Sequence, residues 1–451
     1  MSDDRPADPA DGVTEQDRPV TFRDVFAVRE YRAVYLSLVV NWLGDYLARA
    51  AIIVLVYQQT ESVLLSAASF AVSYLPWIVG GPLLATLADR YPYRRVLIVA
   101  DLTRAVPIAL IALPGMNVYA ILCLLFVAML GAPPTQAARS ALLPLILERR
   151  KVVTGVALNA STSQAAQVFG YVLGATLAVA VDPRLGIALD AISFVVSAAL
   201  IAIGVRPRPA AAVPSGRQHL LRETGEGFRL VFGTPLLRSI ALMVFALTTF
   251  TILPEGLAAG WAALFHEDHS ARGFDQGMIM AAGPVGFVIG GIAVGRLLRP
   301  STRRKLIKPF ALLAPTALAL TVLASNAGTV AVFVAISGIA QGGLMPTLNG
   351  EFVLALPHGY RARAYGVMQG GVQFTQCFAV IATGALAQFT SIPLVVGLWS
   401  AGGLLLMIFL VARRPQLAAV ERPDSPAVEV VPATHVTPGQ VQAGTAGKLD
   451  R

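Results

Sequence analysis

The sequence predicts an all-α polytopic membrane protein, with twelve transmembrane helices in two six-helix pseudo-symmetric bundles. Three observations predict it: a charge-poor apolar composition, twelve apolar runs of spanning length, and a repeat that relates the two halves. Of 451 residues, 55% are hydrophobic and only 14% are charged. A soluble domain carries about 25% charged residues. The mean hydropathy of +0.66 points the same way.

A helix needs roughly 20 mostly apolar residues to cross the hydrocarbon core. Such runs lie near 33–57, 63–87, 96–113, 118–146, 152–180 and 185–205, and again near 236–262, 275–298, 306–324, 328–356, 364–388 and 392–412. They are apolar all round, as in Ala109-Leu110-Ile111-Ala112-Leu113. A barrel strand would alternate polar and apolar residues instead. The resulting organisation is a cytoplasmic N-terminal segment 1–31, a bundle 32–205, a cytoplasmic linker 206–235, a bundle 236–412 and a disordered cytoplasmic tail 413–451. The first segment holds Asp3, Asp4, Asp8, Asp11, Glu15 and Asp17 without a short apolar core, so it does not read as a signal peptide. The tail is rich in Pro, Ala, Val and Thr and has no periodicity.

The formal net charge is +9. Its placement excludes a nucleic-acid partner as the explanation. Arg90, Arg94 and Arg95 follow helix 2, and Arg149, Arg150 and Lys151 follow helix 4. Arg206, Arg208, Arg217, Arg222 and Arg229 fill the linker, and Arg296, Arg299, Arg303, Arg304, Lys305 and Lys308 surround the junction of helices 8 and 9. Arg361 and Arg363 follow helix 10, and Arg413 and Arg414 follow helix 12. The alternate loops carry Arg184 and Arg272. This is the positive-inside pattern. It predicts a multi-pass protein of the cell's inner (plasma) membrane, in contact with the lipid bilayer, with both termini cytoplasmic. Abundant Arg and Ala beside scarce Lys point to a GC-rich, bacterial genome. Cys123 and Cys377 sit in apolar runs of different halves, so neither a disulfide framework nor a cysteine metal site is expected.

The halves repeat. Gly80-Gly81 in helix 2 matches Gly290-Gly291 in helix 8, 210 residues on, and Arg94-Arg95 matches Arg303-Arg304, 209 on. Pro134-Thr135, Pro144 and Gly155-Val156 match Pro346-Thr347, Pro357 and Gly366-Val367 at offsets of 212, 213 and 211. Six-helix halves repeated in parallel place a central site between them near the membrane midplane.

Helix 2 and its loop read Gly81-Pro82-Leu83-Leu84-Ala85-Thr86-Leu87-Ala88-Asp89-Arg90, followed by Arg94-Arg95. This resembles the major facilitator signature between helices 2 and 3. More narrowly the chain resembles the branch that holds the enterobactin exporters and macrolide-efflux proteins. The supporting residues are Gly44-Asp45, Asp101-x-x-Arg104, Ala141-Leu142-Leu143-Pro144, Asp190-Ala191-Ile192-Ser193-Phe194 and Gly225-Glu226-Gly227-Phe228. Departures are Ala85, Pro92 and Tyr93 in the signature. In helix 5 the exporter-associated Gly-Pro-x-x-Gly-Gly stands as Gly170-Tyr171-Val172-Leu173-Gly174-Ala175, without the proline. What remains there is a small-residue stripe, Ala166, Gly170, Gly174 and Ala178, suited to close helix packing.

Ionisable groups inside a membrane each cost at least ~2.5–3.5 kcal/mol on insertion scales, so each needs a reason. Asp45 lies midway along helix 1, with Arg49 one turn later at i,i+4. Asp45 reads as a proton-binding carboxylate, or as a permanent ion pair with Arg49. Glu255 in helix 7 lies at the repeat offset from Asp45 and reads as a second cavity carboxylate, or as a local distortion between Pro254 and Gly256. Asp101 and Arg104 read as a structural pair bracing the loop at Asp89, and Asp190 as structural. His266, Glu267, Asp268 and His269 read as a solvated outer loop, with no metal expected. Asp89, with Arg90, Arg94 and Arg95 crowded near it, is expected to keep the cytoplasmic side closed. Arg139 and Glu351, repeat equivalents of opposite charge, read as a latch that pairs across the two halves, or as side chains that snorkel separately to the cytoplasmic interface.

No Ser/His/Asp order, His-x-Glu or P-loop is present, so the chain reads as a non-enzyme that uses no ATP and no cofactor. The energy source expected is the proton gradient. The leading reading is a secondary transporter that exports a hydrophobic or amphipathic small molecule in exchange for protons. Its cavity is expected to draw on Asn41, Trp42, Tyr46, Tyr74, Gln164, Gln341, Asn349 and Gln369. A proton-coupled importer or facilitator, and a non-transporting membrane sensor or scaffold, are the alternatives.

Overall fold

The computed structural model describes residues 20–79, 84, 90–209, 220–266, 269–356 and 361–413. Among these residues every regular element is helical. The helices follow the expected apolar runs. In chain order they are α1 Arg29–Thr60, α2 Val63–Val72 continued by Leu75–Val79, α3 Tyr93–Ile111, and α4 Val118–Met129 continued by Ala132–Ile146. Then come α5 Arg149–Ala180, α6 Pro183–Gly204, α7 Pro235–Thr251 continued by Leu253–Ala263, and α8 His269–Leu297. The last four are α9 Ile307–Ala319 with a 3-10 turn Leu320–Leu323, α10 Ala327–Ala355, α11 Arg361–Leu386 and α12 Ile392–Ala412. At 1.5 Å per residue, α1 reaches about 48 Å, more than the ~30 Å hydrocarbon core. The later part of helix 2, with Gly80-Gly81 and Asp89, lies outside the described residues, as does the tail.

Local chemistry explains the helix ends. Ser62, Asn117 and Asn326 cap α2, α4 and α10 by accepting backbone N–H bonds from Leu65, Ala120 and Thr329. The Asp182 carboxylate does the same for Arg184 at the start of α6. All four caps lie at the side away from the positively charged loops. We call that the far side, and the opposite one the base. Breaks in α4 and α7 fall just before Pro133-Pro134 and at Ile252 before Pro254, where a proline removes a backbone donor.

Within the linker segment lies a helix, Leu220–Gly233. Gly227 lies against the backbone of Arg363, and Glu226 accepts a 2.7 Å bond from the Arg363 guanidinium, so this helix docks on α11. At the other end of the linker Arg208 donates to Glu30 at the start of α1 at 2.5 Å.

In the first half α1 packs on α5 and α6, and α6 on α3; in the second half α8 packs on α10, and α9 on α10 and α12. The halves meet through α5 with α8 and α2 with α11. Gln276 Nε2 donates to the Ala50 carbonyl at 3.3 Å, Gly260 lies against Val63, and Gly273 and Gly277 lie against α5 at Val172, Ala175 and Val179. Among the described residues, hydrogen bonds between the halves lie at mid-depth or at the far side. The molecule is therefore closed at the far side. Trp261, wholly buried in α7, is part of that closure. Val99 and Val106 of α3, Ile192 and Val195 of α6, and Leu398 and Leu405 of α12 stay exposed on the rim, as lipid-facing residues do.

The tightest packing joins α8 to α10. A Cβ on Gly286, Gly290, Gly338 or Gly342 would collide with the backbone of Ala335, Ile339, Gly283 or Phe287. Overpacking of this kind costs ~1–3 kcal/mol. Gly342→Ala should therefore lower the melting temperature of the purified protein in detergent. Gly402→Ala in α12, where nothing lies within 4 Å of the new methyl, should leave it unchanged.

Candidate functional site

A polar cavity of about 280 Å³ lies between the halves, near the lower limit for a small-molecule site. The first half contributes Tyr46 and Arg49 from α1, Tyr74 beside α2, and Gln164 and Gln167 from α5. The second contributes Thr251, Ile252 and Glu255 from α7, Pro284 and Phe287 from α8, Gln341 from α10 and Gln376 from α11. Of the wall residues expected from sequence, Tyr46, Tyr74, Gln164 and Gln341 are in place. Asn41 turns instead to Asp101, and Trp42, Asn349 and Gln369 are not in this wall.

Glu255 sits where the proline break in α7 exposes the first turn of Leu253–Ala263 to the cavity. Its Oε2 accepts a 2.7 Å bond from the Tyr171 hydroxyl and a longer one, 3.5 Å, from Gln167. Both donors belong to the other half. Tyr171 occupies the position where the exporter motif has proline. The sequence shows that departure only as a loss, whereas the structure gives the new side chain the cavity carboxylate as its partner.

Arg49 faces the same cavity. Its guanidinium lies 5.7, 5.4 and 5.9 Å from the ring centroids of Tyr46, Phe70 and Tyr74, a cation–π cage. It makes no ion pair with Asp45, contrary to the i,i+4 expectation. Asp45 instead accepts a 2.6 Å bond from Arg104 of α3. The reason is steric and electrostatic. Three rings of α1 and α2 draw Arg49 to the cavity side, while Arg104, stacked 4.2 Å over Phe194 of α6, reaches Asp45 across the bundle.

The expected Asp101–Arg104 pair is likewise absent. With Arg104 committed to Asp45, Asp101 takes bonds from Asn41 Nδ2 at 3.1 Å and Ser197 Oγ at 2.5 Å. It thus ties α1, α3 and α6 together and does not brace the loop. Asp190, 1% exposed, accepts a 3.1 Å bond from Ser193. It lies against Gly44, at the centre of the first bundle.

Arg139 and Glu351 are both buried but not joined. Arg139 interacts electrostatically with Asp101, Arg104 and Asp45 of its own half, because α4 and α10 share no packing interface in this conformation. Glu351 borders a groove with Arg303, Gly342 and Pro346. At the base, Arg94 donates to the Ala202 carbonyl at 2.6 Å, and Arg90 and Arg95 are exposed. Asp89 lies outside the described residues. Gly170 and Gly174 seat α5 on Leu43, Tyr46 and Leu47 of α1. On the far side His266 meets Asp275 at 3.1 Å, and Glu267 and Asp268 lie outside the described residues.

Removing one partner of a buried ion pair costs ~3–5 kcal/mol, because the other charge is stranded. Asp45→Asn should therefore cause a clear drop in melting temperature. Adding Arg104→Gln should recover much of it. Losses that simply add in the double variant would show that the pair does not carry stability.

Known proteins can now be set beside this geometry. The profile of the Major Facilitator Superfamily matches residues 34–350 and 276–441. The enterobactin exporter EntS of Shigella boydii serotype 4 (strain Sb227) is 26% identical over 279 residues, which are 59% of this chain and 63% of the relative. Macrolide efflux protein A of Streptococcus pyogenes is 21% identical over 229 residues, 50% of this chain and 56% of the relative. The chain thus matches between half and two thirds of the length of these curated relatives. Among solved structures, a POT family transporter in complex with 5-aminolevulinic acid superposes with a TM-score of 0.68 at 11% identity, covering 89% of this chain and 98% of that one. The nucleoside transporter NupG gives 0.67 at 11% identity, covering 84% and 98%. The family profile, the helical architecture and the central cavity agree: the chain belongs to the major facilitator superfamily.

Proposed function

We propose that this chain is a proton-coupled exporter of a hydrophobic or amphipathic small molecule, working by alternating access in the plasma membrane. The base, with its positive loops, faces the cytoplasm in this reading. The closed far side then makes this conformation inward-facing.

One observation carries the proposal: the cavity carboxylate, Glu255, bonds across the interface between the halves to Tyr171. An ionised carboxylate accepts a stronger hydrogen bond than a protonated one. Proton binding at Glu255 therefore loosens a tie between the bundles, and proton release tightens it. Rocking the halves against each other must break and remake contacts across the seam, and this one responds to a proton. The wall supports the substrate class. Tyr46, Tyr74 and Phe287 offer ring faces, and Gln164, Gln167, Gln341 and Gln376 both donate and accept hydrogen bonds. Such a wall suits a molecule with an apolar body and several polar atoms. The names of the relatives, a macrolide efflux protein and an enterobactin exporter, support outward direction and an amphipathic cargo.

The test is accumulation in inside-out vesicles with an imposed pH difference and a panel of amphipathic compounds. The wild-type protein should accumulate at least one compound uphill. Glu255→Gln, which keeps shape but cannot ionise, should lose uphill accumulation at least tenfold while retaining exchange down a substrate gradient. Full pH-driven accumulation by Glu255→Gln would remove Glu255 from coupling.

A further inference from the structure

The polar interior of the first bundle holds a feature that transport through the cavity does not use. Behind Arg49 lies a small void of about 20 Å³, lined by Asp45, Ser69, Ser73, Asp190 and Met129 among others. That is room for one water. Arg49 is a wall of this void and a wall of the central cavity.

Charge must balance here, because no bulk water solvates an unpaired ion between spanning helices. Over the cavity and this interior, the described carboxylates are Asp45, Asp101, Asp190 and Glu255, and the described guanidiniums are Arg49, Arg104 and Arg139. The other described residues that line the void, from α2, α3 and α4, bring hydroxyls and apolar atoms but no charge. Among these described groups acids exceed bases by one, and a buried carboxylate with neither a cation nor a full set of donors keeps its proton. The hydrogen bonds say which. Asp45 has Arg104, Asp101 has Asn41 and Ser197, and Glu255 has Tyr171 and Gln167. Asp190 is 1% exposed and has only Ser193, on Oδ1; no cation of the described residues lies within ion-pair reach of it.

We propose that Asp190 is a second proton-binding site, which exchanges its proton with Glu255 as Arg49 turns between the void and the cavity. The exchange balances. Asp190 gives its proton to the water of the void, and Arg49 turns to the carboxylate so formed. As Arg49, the wall shared by void and cavity, leaves the cavity side, the water of the void hands that proton on through the cavity water. Glu255, which has lost the nearby cation, takes it, and both waters end neutral. The number of charges is unchanged, and one proton has crossed from the bundle interior to the substrate site. The inference rests on the reading of Glu255 as the coupling carboxylate.

The test is infrared difference spectroscopy on the full chain in lipid nanodiscs, without substrate, at neutral pH. A protonated carboxylic acid has a carbonyl stretch that shifts in D₂O. Wild type and Glu255→Gln should both show this band, Asp190→Asn should lack it, and Asp190→Glu should move it. Asparagine copies a neutral aspartic acid group for group, so Asp190→Asn should fold with an unchanged melting temperature. It should lose pH-driven accumulation at least tenfold while keeping downhill exchange. Retention of the band in Asp190→Asn, an unmoved band in Asp190→Glu, or a marked loss of melting temperature in Asp190→Asn would each overturn the site. A band absent only from Glu255→Gln would place the proton on Glu255, sinking the Asp190 site while leaving the coupling role of Glu255 intact. PH-driven accumulation by Glu255→Gln would sink that role instead, with the Asp190 band still to be read independently.

Discussion

A charged side chain between membrane-spanning helices has no water to fall back on, and the first bundle is arranged around that constraint. Asp45 of α1 is met by the Arg104 guanidinium of α3 at 2.6 Å. Arg104 in turn rests on the Phe194 ring of α6. Asp101 draws donors from α1 and α6. Each solvation problem is answered by a different helix, so the answers clamp α1, α3 and α6 into one block. Gly44 makes room for this, since a side chain there would overlap Asp190 and Ser193. The second bundle reaches the same rigidity by other means. Its α8 and α10 touch backbone to backbone through glycines, as close-packed helices in lipid do. Two stiff blocks with a polar seam are what alternating access requires.

Much of the fold is legible in the sequence because hydrophobic length is a direct physical measure of the bilayer. The spans, the repeat and the central site follow from it. The partners of the charged residues do not. Spacing along one helix marks Asp45 and Arg49 as neighbours, yet spacing says nothing about rings on α2 or a guanidinium on α3. Interhelical geometry decides between near-equal local options, and the aromatic cage wins Arg49. For the same reason the linker helix Leu220–Gly233 is hidden: charged and polar residues mask a segment that docks on α11.

Tyr171 shows how a departure from a motif carries information. A proline in α5 would supply no side-chain donor at this depth. The tyrosine supplies a hydroxyl, and it stands where a carboxylate from the other half can use it. Its ring also packs edge-on against Tyr46, 5.3 Å between centroids, beside Arg49. One substitution thus joins the seam between the bundles to the aromatic cage.

The burial of Trp261 has an optical consequence. Its indole N–H has no acceptor among the described residues, and the ring is packed among apolar residues where the far side closes. An indole in such surroundings emits at short wavelength. When the bundles part on that side, water reaches the ring and gives the N–H an acceptor, so the emission moves to the red. The chain has three other tryptophans, Trp42, Trp77 and Trp399, none of which is fully buried. The protein thus carries its own spectroscopic gauge of which side is open, and its conformational cycle is readable without any attached label.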